Sequence, residues 1–526
     1  MKYKKIKWVL VISIFIFLYN SHISILNQEN LAYYISGNKA QSCNLDSPKV
    51  SGDNISLEWY RTWGGQKDEF CGEETEYSMD IMTVDSLGNV YLVGTTESLG
   101  NGDTDICVVK YSSSGKQLWN TTWGGSNSEY GKSIAIDISG NIIILGTTQS
   151  WAAGDGDICV IKYTNLGILQ WNVSWGSSEF KESAEEACGI EVDSDNNLYV
   201  AGSIRTSING QRDFFVVKFN THGAQVWNRT WGNIISDEWC YGIQIDFLGN
   251  IYLVGHGLYG DICLVKYDPF GDRLWNATWG GVYEERAKAL EVGPLNNVYI
   301  LGVTQEGMEH ICIMKFNSTG SLQWDATWGQ SLLDTAHSLK VISCQSIYIS
   351  GITQNPGFEY MSYFLAHYNS SGVLQWNRTF ERASYDISAI QADNEGRVYF
   401  GGTIAHNNQD VYFAMINSSG TIQYTSTWGE SGRDISSMIL LDKLNNIYIG
   451  GYTSSIGEGG TDIFILKYKG LGKVENMPNI AGNSDNTKNK LFNEKDFIIF
   501  LLLILSSFGI SILLILRRIA PFKKIA

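Results

Sequence analysis

Acid–aromatic pairs recur along this chain of 526 residues and are the side chains best suited to binding chemistry. Most pairs follow a Trp-Gly step by a few residues, and further glutamates lie nearby. Carboxylates beside aromatic rings can bind a cation, a basic partner or a glycan. Alternatively, the pair belongs to a repeated consensus and caps a strand. The candidate binding face consists of Glu129, Tyr130, Glu179, Phe180, Glu238, Trp239, Tyr283 and Glu284.

The sequence contains no recognisable catalytic constellation. Its seven histidines are scattered, and it has no nucleophile elbow, zinc-type His/Glu spacing, phosphate loop or dinucleotide fingerprint. The recurring Asp-x-x-Gly-Asn segments lack the dense run of acids that calcium loops need, so hydrogen-bonded turns explain them better. We therefore predict a protein that is not an enzyme, with no catalytic residue, no metal ligand and no cofactor.

The charge balance argues against nucleic-acid partners. The chain carries 54 Asp and Glu against 38 Lys and Arg, a net charge of −16. A body this acidic repels a phosphate backbone.

Both ends of the chain predict membrane targeting. Four lysines precede an apolar run in residues 8–19, so residues 1–21 form a signal peptide or an uncleaved signal anchor. Residues 497–516 are twenty residues without a charge, followed at once by Arg517 and Arg518. That length can span a bilayer, and the positive charges keep the tail inside. We predict a single-pass cell-membrane protein with its large domain outside and its C-terminus in the cytoplasm.

Between the two ends, a Trp-Gly step repeats and defines the domain organisation. It occurs at Trp63, Trp123, Trp175, Trp231, Trp279, Trp328 and Trp428, with Phe380 in the gap, at spacings of 48 to 60 residues. Eight units result. The predicted segments are an N-terminal exterior segment (22–54), the repeat domain (55–470), a stalk (471–495), a transmembrane helix (496–516) and a basic tail (517–526).

Each unit predicts four short antiparallel strands separated by turn residues at fixed offsets. Eight such units predict an all-β, eight-bladed β-propeller, with seven blades as the alternative because two units are degraded. The last unit stops after residues 462–468 without a fourth strand, and the missing strand stands alone at 57–63. These two segments are therefore expected to form one blade and close the ring, which removes an exposed sheet edge.

The pattern Asp-x-x-Gly-Asn-(Ile/Val)-Tyr, then Asp-(Ile/Phe)-x-(Val/Leu)-x-Lys-Tyr, then Gly-x-x-x-Trp resembles the prokaryotic SBBP β-propeller repeats over about residues 55–470. This resemblance implies a surface or secreted protein without an assigned activity. Eight-bladed rings with a Gly-x-x-x-Trp strand also look like quinoprotein dehydrogenases, which bind pyrroloquinoline quinone in the central channel. Those enzymes typically have adjacent cysteines, and this chain has no Cys-Cys pair.

Cysteines and tryptophans both follow the repeat. One repeat position is filled by cysteine in some units and by Phe or Tyr in others, which indicates a hydrophobic core site. These cysteines are Cys107, Cys159, Cys263 and Cys312. The only disulfide considered is Cys43 with Cys71, and the fold is not expected to rely on it. The repeated tryptophans are expected to pack between blades, with carbohydrate stacking as the alternative.

Nine Asn-x-Ser/Thr sequons are candidate glycosylation sites, five of them on the predicted outermost strand and three in the turn before it. They are Asn54, Asn120, Asn172, Asn228, Asn276, Asn317, Asn369, Asn377 and Asn417.

The predicted function is that of a non-catalytic cell-surface β-propeller. Its variable loops all lie at one end of the ring and present a face for recognition, adhesion or envelope assembly, with a protein or glycan partner. A channel-based enzyme, quinoprotein-like or other, is the alternative. The sequence does not name the ligand, the process or the oligomeric state.

Overall fold

The computed structural model describes residues 55–471, apart from 73–79, 153–155, 177–184, 206–210, 306–308, 330–333, 343–345, 355–360, 383–388 and 406–407. The described residues form eight antiparallel sheets. The predicted segments 1–21, 22–54, 496–516 and 517–526, and all of the predicted stalk except Leu471, lie outside the described residues. Within the described part of the chain, no helix is long and apolar enough to span a membrane.

Strands β2 to β18 form the first four blades, which follow the chain in order. Blade 1 contains β2 (Glu69–Phe70), β3 (Met82–Val84), β4 (Val90–Thr96), β5 (Asp105–Tyr111) and β6 (Gln117–Trp123). Blade 2 contains β7 (Glu129–Ile136), β8 (Ile142–Thr148), β9 (Asp157–Tyr163) and β10 (Leu169–Trp175). Blade 3 contains β11 (Glu186–Val192), β12 (Leu198–Arg205), β13 (Arg212–Phe219) and β14 (Gln225–Trp231). Blade 4 contains β15 (Trp239–Ile245), β16 (Ile251–His256), β17 (Ile262–Tyr267) and β18 (Arg273–Trp279).

The remaining strands complete the ring, and two short 3-10 turns lie at Leu258–Gly260 and Pro294–Asn296. Blade 5 contains β19 (Glu285–Val292), β20 (Val298–Thr304), β21 (His310–Phe316) and β22 (Leu322–Trp328). Blade 6 contains β23 (Asp334–Val341), β24 (Ile347–Gln354), β25 (Met361–Tyr368) and β26 (Leu374–Arg382). Blade 7 contains β27 (Ala389–Ala392), β28 (Val398–Ala405), β29 (Gln409–Ile416) and β30 (Ile422–Trp428). Blade 8 contains β31 (Asp434–Leu441), β32 (Ile447–Thr453), β33 (Asp462–Lys469) and β1 (Ser56–Trp63).

The ring closes through β1, as predicted. This strand pairs antiparallel with β33, with Trp63 opposite Ile463 and Ser56 opposite Lys469. The first described strand of the chain is therefore the outermost strand of the last blade. The prediction of eight blades is confirmed, and the alternative of seven is wrong.

Buried side chains of consecutive blades form the core. The middle strands of each sheet are almost fully buried, and the hydrophobic clusters cross from one blade to the next. The repeated cysteines, such as Cys107 and Cys263, are buried within these clusters, which confirms their core role. The Asp-x-x-Gly-Asn segments are hydrogen-bonded turns: Asp85 Oδ1 accepts from the backbone N–H groups of Leu87 and Asn89.

Tryptophans of the outermost strands connect neighbouring blades. The Trp119 ring lies against Gly167 in the last turn of the next blade, and its Nε1 donates to the Asn165 carbonyl at 3.1 Å. Lys110 Nζ donates to the same carbonyl at 2.8 Å. Gly167 has φ of +78°, and a methyl group there would collide with the indole, so the turn requires glycine.

We call this arrangement the indole clasp, and it recurs around the ring. Its other indoles belong to Trp59, Trp171, Trp227, Trp275, Trp324 and Trp376, each lying against a turn glycine of the next blade. Trp59 closes the circle, since it belongs to β1 and its Nε1 donates to the Ser113 carbonyl of blade 1 at 3.2 Å. The prediction that tryptophans pack between blades is therefore confirmed for this position.

Replacing Trp59 with alanine tests whether β1 closes the ring. Trp59→Ala and its matched control Trp119→Ala remove the same half-buried contact, so each should lower the free energy of unfolding by about 2–4 kcal/mol. Urea unfolding followed by circular dichroism measures both. If Trp119→Ala destabilises the protein but Trp59→Ala leaves the unfolding midpoint unchanged, closure by β1 is contradicted.

Candidate functional site

The two ends of the ring differ in their connections. Short turns join first to second and third to fourth strands at one end, which we call the turn end. Connections of variable length join second to third strands, and each outermost strand to the next blade, at the other end, which we call the loop end. Because neighbouring strands are antiparallel, all of these variable connections share one end. The described residues of the predicted binding face lie at or beside the loop end.

Acidic residues of the loop-end connections are buried inside the junctions between blades. Glu129 is fully buried: its Oε1 accepts from Thr148 Oγ1 at 2.9 Å and from the Ser150 N–H at 3.0 Å, and its Oε2 accepts from the Gly125 N–H at 2.7 Å. Glu238 is equally buried and accepts from Asn233 and Ser236. These carboxylates hold the connection in place. The corresponding residues in other blades are Glu69, Glu185, Glu285, Asp334 and Asp434.

A second carboxyl group approaches the first at most junctions. A methyl group on Gly124 would lie 1.7 Å from Asp105 Oδ1 and 2.7 Å from Glu129 Oε2, so both oxygens converge on this glycine. Burial, followed by the charge of Asp213, raises the pKa of Glu238. Burial and the charge of Glu69 likewise raise the pKa of Asp462 to about 6. Glu238 and Asp462 therefore bind a proton more readily than exposed carboxyl groups do, and both side chains are buried in the junctions.

The residues predicted for the binding face are distributed over several environments. Glu129 and Glu238 lie inside the junctions, and their neighbours Tyr130 and Trp239 are half-buried. Arg212 lies 4.5 Å from the centre of the Trp239 ring and forms an ion pair with Glu186. Glu179 and Phe180 lie outside the described residues, and Glu185 occupies the junction position of that blade. Tyr283 and Glu284 are on the surface of blade 5, where Glu285 is the junction acid.

Exposed apolar side chains cluster at the loop end of blades 4 and 5. Ile234, Ile235, Tyr259 and Val282 each expose at least 74% of their surface, and Tyr283 exposes 43%. We call these five residues the blade 4–5 patch. Close contacts join their three loops: a methyl group on Gly257 would lie 2.7 Å from Glu238 Cγ, and one on Gly260 would lie 3.0 Å from Glu284 Cγ.

Tyr259, one of the patch residues, is held in an unusual conformation. Its φ of 64° and ψ of 14° lie in the left-handed region, which a bulky side chain adopts at an energetic cost. The Gly257 N–H donates to the Asp261 carbonyl and the Gly260 N–H donates to the Gly257 carbonyl, which fixes the tight loop. The consequence is an aromatic ring that is directed to solvent.

A second candidate site is the central channel. One register position on each innermost strand faces it, and these half-buried residues form what we call the channel ring. The channel ring consists of Thr83, Ala135, Glu191, Gln244, Glu291, Lys340, Gln391 and Leu440. The five consecutive positions from blade 3 to blade 7 are polar or charged, whereas two of the other three are apolar.

Charged groups of the channel perturb one another. Lys340 Nζ lies 2.9 Å from Glu291 Oε1, and Gln244 Oε1 accepts from the Val292 N–H at 2.6 Å. Burial, followed by the charges of Asp80 and Glu291, raises the pKa of Glu191 to about 8. A carboxyl group with this pKa is mostly protonated at neutral pH and can donate a hydrogen bond or a proton.

Among the residues that the structure describes, no group of three or more His, Cys, Asp or Glu side chains lies close enough together to hold a metal ion.

The sequons differ in exposure. The outermost-strand asparagines Asn120, Asn172, Asn228, Asn276 and Asn377 are exposed. The turn asparagines Asn317, Asn369 and Asn417 are half-buried, and their amide oxygens accept backbone N–H groups of the same turn. Asn54 lies outside the described residues.

Of the blade 4–5 patch, the sequence predicted only Tyr283, and it predicted no residue of the channel ring. Ile234, Ile235 and Val282 stand in variable loops without periodicity, and the backbone of Tyr259 carries no local sequence signal. Glu191 could have been found, because aligning the units on the Tyr of each second strand places it opposite Tyr199.

The protonated state of Glu191 predicts that stability falls as pH rises from about 6.5 to 8. Its ordinary pKa is 4.5, so in this window the unfolded chain has lost the proton that the folded protein keeps. The stabilisation of the folded state by protonated Glu191 is present at lower pH, and it is lost as pH rises through the folded-state pKa of about 8. His337 and His367, whose pKa values burial lowers to about 4, act in the opposite direction only below about 6.5.

Glu191→Gln should therefore remove about 1 kcal/mol of this pH dependence. Thermal unfolding at pH 6.5 and at pH 8 measures it, with the exposed Glu430→Gln as the matched control. An unchanged slope in Glu191→Gln would contradict the assignment.

Comparison with known proteins gives one family match and several distant similarities. Residues 194–225, which lie in blade 3, match the domain of unknown function DUF5122, described as a beta-propeller. The chain is 25% identical over 168 residues to the regulatory protein FlaEY of Caulobacter vibrioides, covering 26% of this chain and 17% of that protein. It is 22% identical over 208 residues to an uncharacterized WD repeat-containing protein, L264, of Acanthamoeba polyphaga mimivirus, covering 32% of this chain and 15% of that one. The aligned regions thus span about a sixth of these relatives.

Solved structures similar to this chain include the polysaccharide lyase Uly1, with a TM-score of 0.44, 12% identity and coverage of 79% of this chain and 99% of that one. Sqt1 from Chaetomium thermophilum matches with a TM-score of 0.45, 10% identity and coverage of 77% and 98%. The DUF5122 match and the eight closed sheets together support a β-propeller family for this chain.

Proposed function

We propose that this protein is a non-catalytic recognition protein of the cell surface, a propeller of the SBBP-repeat type tethered by residues 496–516. The blade 4–5 patch is its binding surface for a protein partner. The observation that carries this proposal is the set of five exposed apolar and aromatic side chains on three touching loops. Contiguous exposed apolar surface on a folded domain commonly marks an interaction site.

The chemistry of the patch favours a protein over a glycan. Three of its five side chains, Ile234, Ile235 and Val282, are aliphatic and offer no hydrogen bond to a sugar hydroxyl. Such side chains gain free energy by burial against apolar groups of a partner. The Glu284–Arg286 ion pair, with a distance of 3.2 Å, borders the patch and supplies a polar rim. An apolar centre with a polar rim is the usual organisation of a protein interface.

The strained Tyr259 also supports a binding role. Left-handed backbone at a bulky residue costs free energy that the fold does not recover by burying the ring. An exposed tyrosine is a frequent energetic centre of protein interfaces.

Introducing charged residues into the apolar patch tests this proposal. The double variant Ile235→Asp/Val282→Asp should reduce retention of a solubilised surface-protein fraction on the immobilised full chain at least tenfold, because two carboxylates would have to be desolvated. Leu87→Asp/Leu444→Asp is the matched control, since both leucines are similarly exposed but belong to the turn end. The proposal would be contradicted if both double variants lost retention of surface proteins equally. It would also be contradicted if the patch variant retained the same proteins as the wild type and the chain bound only to a glycan array.

A second candidate function is a channel-based enzyme, and the raised pKa of Glu191 favours it. A protonated carboxyl group near Asp80 and Glu291 is chemically suited to act as a general acid. Screening for turnover of polysaccharides with the full chain and with Glu191→Gln would support this candidate if an activity appears and the variant loses it. The quinoprotein version predicts a new absorbance band on addition of pyrroloquinoline quinone and calcium.

Glycosylation and surface location stay part of the proposal. The five exposed outermost-strand asparagines are accessible to a glycosyltransferase.

A further inference from the structure

Two cysteines meet at the junction between blades 3 and 4. Cys188 lies on β11 and Cys240 on β15, and Cys188 Sγ donates to Cys240 Sγ at 3.4 Å. Both side chains are buried, with 5% and 2% exposure. Their two strands are the innermost strands of neighbouring blades, and the cysteines are 52 residues apart in the chain.

The position of this pair within the repeat sets it apart from the core cysteines. Cys188 is the extra residue of a β-bulge on the innermost strand, and Cys240 precedes the corresponding bulge of the next blade. The core cysteines instead occupy the third strand, one in each of their blades. The equivalent pairs at other described junctions are Lys132 with Ala187, Tyr241 with Ala287, Lys288 with Ala336, and Ser437 with Cys71.

The junction of blades 8 and 1 has one cysteine at the equivalent pair of positions. Cys71 corresponds to Cys240, and Ser437 corresponds to Cys188. Ser437 Oγ donates to the Cys71 carbonyl at 3.0 Å, and Cys71 Sγ donates to the Gly451 carbonyl at 2.9 Å. The two positions are therefore neighbours at this junction as well, which makes it a natural reference.

We propose that Cys188 and Cys240 form a disulfide bond in the mature protein. A disulfide needs sulfurs about 2.05 Å apart, and rotation of two small side chains can close the remaining gap. The bond forms by thiol–disulfide exchange with a disulfide carrier of the oxidising exterior. The two thiols lose two protons and two electrons to form the S–S bond, and the carrier disulfide gains them and becomes a dithiol.

The bond forms while blades 3 and 4 come together, before their junction is fully closed. Burial, and then the neighbouring Cys240, raise the pKa of the Cys188 thiol well above its ordinary value. The reactive thiolate is therefore scarce in the closed junction, whereas both sulfurs are accessible while the blades still assemble. A bond made at that stage remains protected from reduction once the junction is closed.

This disulfide would fix the structure beneath the blade 4–5 patch. Cys240 directly follows Trp239 and is two residues from the junction acid Glu238, which in turn contacts the loop of Tyr259. On the other side, Cys188 lies three residues before Glu191 of the channel ring. Linking the two strands also removes conformational freedom from the unfolded chain, which stabilises the fold.

Peptide mapping of the full chain tests the proposal directly. Protein folded in a glutathione redox buffer is alkylated in denaturant without reductant and digested with trypsin, and we expect residues 182–205 linked to residues 230–266 through Cys188 and Cys240. Cys263 shares the second peptide and should be alkylated, as should Cys107, so both are internal controls. Complete alkylation of Cys188 and Cys240 would overturn the proposal. Since this test uses purified protein, its failure is independent of whether the surface location or the patch function is correct.

Two variants extend the test. Reduction should lower the melting temperature of the wild-type protein by several degrees, and Cys188→Ser/Cys240→Ser should not respond to reduction, while Cys107→Ser should respond like the wild type. Ser437→Cys supplies a second pair with Cys71, and a new link between residues 71 and 437 is expected. Free thiols at both positions would mean that this geometry does not bring two sulfurs within bonding reach, and would contradict the proposal.

Discussion

The indole clasp is the interaction on which the rest of the structure depends. A ring of sheets is stable only if each blade is fixed to the next, and the packed faces alone leave the outer edges of neighbouring blades apart. The indole bridges that distance by stacking on a turn glycine and donating to the carbonyl beside it. Because β1 brings Trp59 to blade 1, the same contact that joins blades in sequence also joins the two ends of the domain.

Closure has a consequence for the loop end. Once the eight sheets are fixed, each connection between blades must turn sharply with its backbone N–H groups away from any strand, and those groups need acceptors. The buried junction acids supply them: one carboxylate of Glu129 satisfies two backbone N–H groups and a threonine hydroxyl. The acids that recur at the described junctions thus serve the ring itself. Residues that serve binding must be sought where the repeat is broken, as in the blade 4–5 patch and the channel ring.

The sequence predicted the fold well because the fold depends on local and repeated signals. Turn aspartates, strand alternation and the isolated strand around Trp59 each have one structural solution, and together they specify blade number and closure. The candidate site was less predictable for physical reasons. An acid near a Trp-Gly step looks the same whether it faces solvent or a junction. The junction acid Glu185 follows Trp175 by ten residues, a longer spacing than the six between Trp123 and Glu129, and Glu284 stands one residue before the junction acid Glu285. The Cys188–Cys240 contact has no local signature at all, since only the stacking of two blades brings these residues together.

Several departures from eightfold regularity lie in blades 3 to 5, whereas the replacement of the repeated tryptophan by Phe380 lies in blade 6. Glu191, the paired cysteines, the Arg212–Trp239 contact and the apolar patch belong to the first group. For the proposed binding role, an exposed surface that presents apolar and aromatic groups to a partner gains affinity when its supporting strands are rigid. A covalent link between the innermost strands of blades 3 and 4 provides that rigidity where the patch begins.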